Sequence, residues 1–429
     1  MKTKLLAGTL LALSFVLTGC VTSETKPIPK VAAKQATVHI PEAELLDVGI
    51  RVFDPGIPKN LEDDVEALAK KRIYPDLRKA EARYIPTLLR ETLESTAQWG
   101  AVRVIPDNAE FVDVIITGQL IDSNGGFLSV DVSAVDAAGR VWIKDKRYQS
   151  LVDLGAYKTT ASIKARDPFQ NVYSEIANDL VIARDKLTAV ERENIRRVAS
   201  LRFAEDLAPD AMAGMTAKDK NGVVQVVRMP AEGDPTLGRI EKIRERDTAV
   251  VDTVNDYYAS FHDSMEESYG SWRQTSFTEL EKEMRARSSA RTRTILGAAA
   301  LIASIFAPNS CSNYDTCRIN NAARNAGTMG GIAAVLSGIR KYADARVHAD
   351  ALKELTNSFQ AEVAPQVVEV EGHTLRLTGT AEDQYREWRK LLKQLYEEET
   401  GSAAAPPPAP VANPAVTTGT GTGAAPPAG

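Results

Sequence analysis

Little in this chain points to an enzyme, a nucleic-acid binder or a polytopic membrane protein. Its three cysteines are too few for a disulfide framework across 429 residues. Fifty-two Lys and Arg against 57 Asp and Glu leave a formal charge of −5. No long run of one sign appears, so the basic stripe of a nucleic-acid binder is missing. No apolar run comfortably reaches the roughly 20 residues that a membrane-crossing helix needs. The four histidines, His39, His262, His348 and His373, fall in no HExxH or HxH spacing, which leaves no recognisable metal set. A GxSxG elbow, a Walker loop and a dinucleotide glycine fingerprint are also lacking. Acidic pairs such as Asp63-Asp64 and Glu266-Glu267 lie on helical stretches, where solvated charge is their ordinary use.

What is present starts with an address. Lys2 and Lys4 precede an apolar run from Leu5 to Leu17, which is followed by Thr18-Gly19-Cys20. A run that short, ending in small residues, has the anatomy of an export signal. Leu17-Thr18-Gly19-Cys20 resembles the lipobox of bacterial lipoproteins. The resemblance implies removal of residues 1–19 and triacylation of Cys20, and several acyl chains hold firmly where one is marginal. Val21, where an Asp would resemble an inner-membrane retention signal, favours the periplasmic face of the outer membrane. Residues 20–37, polar and carrying Pro27 and Pro29, read as a tether. Residues 401–429 contain no charged side chain and little besides Ala, Pro, Gly, Thr and Val, the composition of a disordered tail.

Residues 38–208 read as an α+β unit. Leu46, Val48, Ile50 and Val52 alternate with polar residues or glycine as a half-buried strand does. Helical spacing follows over 60–73 and 76–97, with Pro86 a site for a kink. A strand is predicted at 101–105, and two more alternate through Val112 to Gly118 and Leu128 to Val132, with Asn124-Gly125-Gly126 between them as a hairpin turn. Asp136 to Gly139 turns into a last strand at Val141, Trp142 and Ile143. Trp142 is expected as a core aromatic. Asp167-Pro168 is predicted to open a helix, and Thr188 with Glu191 a second one through a capping box. The order of elements over 45–150, with Ala138-Gly139-Arg140-Val141-Trp142, resembles the N-terminal domain of TolB and the periplasmic domain of CsgG-like lipoproteins. It implies a binding or assembly module with no catalytic residues.

An irregular connector, 209–235, with a short strand at 223–227, leads to a mainly helical unit, 236–400. No proline occurs between Pro235 and Pro308, and Val251, Val254, Tyr258, Phe261, Met265 and Trp272 form a heptad-like seam. The seam suits either a core-packing helix or a projecting coiled coil. Arg285, Arg287, Arg291 and Arg293 then precede the apolar stretch 295–306. A second such stretch, 327–339, precedes Arg340 and Lys341. These are predicted to be the arms of a helical hairpin over 295–339, with Gly297, Gly327, Gly331 and Gly338 allowing close approach of backbones. The hairpin is a buried pair, an oligomer interface or a membrane-surface element. Cys311 and Cys317 at its tip are expected to form a disulfide in an oxidising periplasm, worth roughly 2 kcal/mol at most. A β-hairpin over 367–377 and a helix capped by Thr380 and Asp383 close the unit.

The sequence thus predicts an α+β protein with no catalytic residue, no metal and no cofactor. Its expected partners are the membrane, through Cys20, and either an envelope protein or further copies of itself, but no nucleic acid. The function that follows is a lipid-anchored scaffold, assembly or accessory factor of a cell-envelope complex. The alternatives are a homo-oligomeric export or pore component using 295–339, and a cell-wall or polysaccharide hydrolase with carboxylates that no motif marks.

Overall fold

The computed structural model describes residues 29–71, 73–152, 157, 166–231, 233–305, 366–370, 373–377 and 380–400. Strand β1 (Val48–Arg51) is followed by helices α1 (Val65–Lys70) and α2 (Pro75–Ser95), then by β2 (Val102–Ile105). Three strands in close order follow: β3 (Val114–Ser123), β4 (Phe127–Asp136) and β5 (Val141–Leu151). The chain then forms α3 (Gln170–Asp185), α4 (Ala189–Leu207), a single turn α5 (Pro209–Met212) and a small hairpin, β6 (Thr216–Lys218) with β7 (Val224–Val226). Helix α6 (Pro235–Ile305) has 71 residues, about 107 Å of helical rise. A second hairpin, β8 (Gln366–Val370) with β9 (His373–Leu377), precedes α7 (Ala381–Thr400).

The main sheet is mixed, in the order β2-β1-β3-β4-β5. β1 runs parallel to both neighbours, and β3-β4-β5 is an antiparallel meander. The architecture is α+β. Period-2 alternation sends Val48, Ile50, Val114, Ile116, Val130 and Val132 to one face, where α2 and α3 bury them. The other face, carrying Ile115, Thr117, Ser133 and Val135, stays half-exposed.

Several local expectations meet the structure with informative differences. β5 extends to Leu151 because an edge strand tolerates the charges Lys144 to Arg147, which conceal its pattern in the sequence. Asp167-Pro168 does not begin α3; the helix starts at Gln170, and the Asp167 side chain accepts from Phe169 N–H and from Arg273. The 223–227 strand is the second arm of a hairpin whose first arm, Thr216–Lys218, is too short to show a pattern. At Thr188 both capping-box bonds are formed. Trp142 is half-buried and donates from Nε1 to Asp136 at 2.9 Å.

The seam of α6 faces inward: Val251, Val254, Tyr258, Phe261, Met265 and Trp272 are all buried. Phe261, Met265, Tyr269 and Trp272 complete the core of the sheet body. Ile240, Ile243, Val250 and Val251 belong to a second core with Leu201 and Phe203 of α4 and Tyr385, Trp388 and Leu392 of α7. One helix therefore serves both cores.

Candidate functional site

The densest concentration of polar chemistry lies under α6, where it crosses α2. Glu81 of α2, 0% exposed, accepts from Ser123 Oγ at 2.5 Å and from Tyr269 OH at 2.8 Å. Burial pushes its carboxyl above the usual range, against the opposing pull of the nearby Arg78 charge and the two hydroxyls. One turn of α6 further on, Arg273 donates to Asp167 at 2.7 Å, both side chains being buried. Its guanidinium lies over the Tyr269 ring at 4.4 Å. His262 stacks on Tyr84 with ring centroids 4.2 Å apart. The β3-β4 turn closes the cluster from above. Gly125 has φ +76°, and a Cβ there would stand 2.5 Å from the Arg273 carbonyl oxygen, so only glycine both makes the turn and admits the helix.

A carboxyl of raised proton affinity beside a tyrosine and a serine has the composition of an acid-base site. Its geometry is that of a joint. Glu81 and Tyr269 are sealed from solvent, and the Ser123 and Tyr269 hydroxyls both donate to the same carboxylate oxygen.

Two more joints hold α6 and α7. Asn255 of α6 accepts from the backbone N–H of Val104 at 2.9 Å and from Arg90 at 3.1 Å. It thereby caps the free edge of β2, and Arg103 pairs with Asp252 beside it. Farther along, buried Asp247 accepts from Trp388 Nε1 at 3.1 Å and Tyr385 OH at 3.2 Å. Burial raises its proton affinity, with Arg389 opposing. Arg389 bonds Asp206 of α4 at 2.5 Å and lies over the rings of Phe203 and Phe111.

The half-exposed face of the sheet holds a cleft of about 270 Å³, lined by Arg51, Val112, Ile115, Thr117, Val135 and Arg202 among others. Both arginines are turned to backbone carbonyls, Arg51 to Ala109 and Arg202 to Ala137. At the N-terminal ends of β1 and β3, Asp113 accepts from Asp47 N–H at 2.9 Å. Burial raises its pKa to about 6. Among the described residues no group of three His, Cys, Asp or Glu is placed to hold a metal, and no helix is long and apolar enough to cross a membrane.

Of the residues singled out in the sequence, Gly297 lies within α6. Cys20, Cys311, Cys317, Gly327, Gly331 and Gly338 lie outside the described residues. Glu81, Asp247, Asn255 and Arg273, which make the joints, carry no sequence signal beyond being polar positions on the inner stripe of amphipathic helices. Compared with models of protein families, with curated proteins and with solved structures, the chain finds no match.

Proposed function

We propose that this protein is a lipid-anchored, non-enzymatic lipoprotein of the bacterial outer membrane, on its periplasmic face. It acts as a scaffold, assembly or accessory factor of an envelope complex. The observation that carries this reading is the engagement of the buried polar groups. Glu81, Asp167, Asn255 and Arg273 fasten one long helix to the sheet body, and Asp247 fastens α7 to that helix. Such joints hold an element in one position, which is what a platform for other proteins requires. In this reading the sheet body is a binding module like the TolB and CsgG-like domains, to which the order of elements in the sequence is similar. Cys20 carries the acyl chains, and Cys311 and Cys317 pin the tip of a helical hairpin over 295–339 that meets the partner.

The second reading is a homo-oligomeric export or pore component. It is favoured by the position of the apolar stretch 295–305 at the C-terminal end of α6, where copies could share small-residue faces. In vivo photo-crosslinking from the 295–339 segment separates the two. The scaffold predicts a heterologous envelope protein in the crosslinked product, with a monomer by light scattering after delipidation. Self-crosslinked ladders, a delipidated oligomer and liposome binding would instead carry the pore reading.

A further inference from the structure

The segment read from the sequence as free tether is in part docked. Residues 29–36 have no secondary structure of their own, yet they are bonded along α3. Asn171 accepts from Val31 N–H at 2.9 Å and donates to the Pro29 carbonyl at 2.9 Å. Asn178 repeats the pattern, accepting from Lys34 N–H at 2.8 Å and donating to the Ala32 carbonyl at 3.0 Å. Ala36 N–H then donates to Thr96 O at 2.8 Å, and Arg166 steadies the Asn171 carboxamide at 2.9 Å.

The two clamps match in register. Asn171 and Asn178 are seven residues apart on one face of a helix, about 10.5 Å of rise. Val31 and Lys34 are three residues apart, about 10 Å of extended chain. A carboxamide offers one acceptor and one donor group, so each clamp reads a peptide N–H and a carbonyl and ignores the side chains. The clamps themselves read only backbone, Ala33 packs against the edge of the core, and the docked residues are half-buried or exposed. Their hold therefore rests on hydrogen bonds of modest net value and on one small apolar contact, that of Ala33.

We propose that α3 carries a two-clamp site for an extended polypeptide backbone, occupied in cis by residues 29–36, and that its occupancy sets the reach of the lipid anchor. The second half of this rests on the reading of Cys20 as acylated. With the strap docked, nine residue steps separate Cys20 from the body, a leash of at most about 32 Å. Released through Ala36, the leash lengthens to about 60 Å. The body thus has a near and a far position relative to the membrane, selected by a site that any extended backbone of a partner can compete for.

The test uses the full mature chain and its Asn171→Ala/Asn178→Ala variant. In the wild type, the amides of Val31, Lys34 and Ala36 exchange slowly, and trypsin cuts slowly after Lys30 and Lys34. In the variant, exchange at Val31 and Lys34 rises about tenfold or more and cleavage accelerates, with the urea midpoint little changed. Asn171→Asp/Asn178→Asp, which keeps the acceptors and loses the donors, falls between. Wild-type amides exchanging at the rate of an unstructured peptide would overturn the site. For the leash, energy transfer from a fluorophore at Val190→Cys, 73% exposed, to a dye in the bilayer should weaken in the alanine variant. Unchanged transfer with lost amide protection would overturn the leash. An unacylated N-terminus with protected amides would instead overturn the anchor reading and leave the backbone site standing.

Discussion

Arg273 and Asp167 show how a buried ion pair fixes position without adding much stability. Breaking such a pair from one side leaves a charge with no partner, so Arg273→Met is expected to cost about 3–5 kcal/mol. Adding Asp167→Asn, whose side chain still accepts from Phe169 N–H, should recover a large part of that loss; urea unfolding of both variants checks it. Asp113 gives a pH signature. Burial pushes its folded pKa up to about 6, above the ordinary aspartate value of 3.8, so folding favours the protonated form. The resulting penalty is fully present above pH 6 and disappears as pH falls from about 6 through 3.8. Asp113→Asn should accordingly gain on the wild type at pH 7.5 relative to pH 4.5, by on the order of 2–3 kcal/mol. A difference between the two proteins that does not vary with pH would refute the assignment. None of these pairings was legible beforehand. Arg273 and Asp167 are separated by 106 residues; Asp167-Pro168 signals a local helix start, but nothing in the sequence marks Arg273 as its partner.

At the scale of elements the sequence carried far more. The alternation of Val48 and Ile50, the glycine turn at 125–126, the capping box at Thr188 and the seam from Val251 to Trp272 all reflect periodicities that burial enforces. What alternation cannot encode is a neighbour. The parallel pairing of β1 with β2 and β3, the covering of the β2 edge by α6 and the clamping of the strap on α3 depend on contacts between distant segments. β5 was legible only over its first three residues, because Lys144 to Arg147 face solvent on an edge. Asn255 gives the test at this scale. Asn255→Ala removes the acceptor of a buried strand N–H and of Arg90, an expected loss of about 1–3 kcal/mol. Val104 N–H should lose protection before the rest of the sheet. Gly125→Ala should be worse tolerated than alanine at Gly139, which has a positive φ but open space around its Cβ position. The comparison separates the strain of the turn, common to both, from the clash with α6; equal losses in thermal denaturation would remove the close approach from the account.

The described residues combine a sheet body, a long helix fastened to it through Tyr269, Arg273 and Asn255, a second helix held to that one at Asp247, and a strap that leads back toward Cys20. The proposed role draws on that combination: a platform whose parts are held together internally and whose distance from the membrane is set by the length of its lipid leash. Incubation with purified peptidoglycan should release no fragments, and any release abolished by a single carboxylate substitution would establish an enzyme instead. The anchor itself is tested most directly by the mass of the N-terminal peptide of the protein extracted from membranes. The account predicts a chain beginning at Cys20 and carrying three acyl groups, and its Cys20→Ser variant should leave the membrane fraction. A mature chain that begins elsewhere, or begins at Cys20 with no acyl mass, would contradict it.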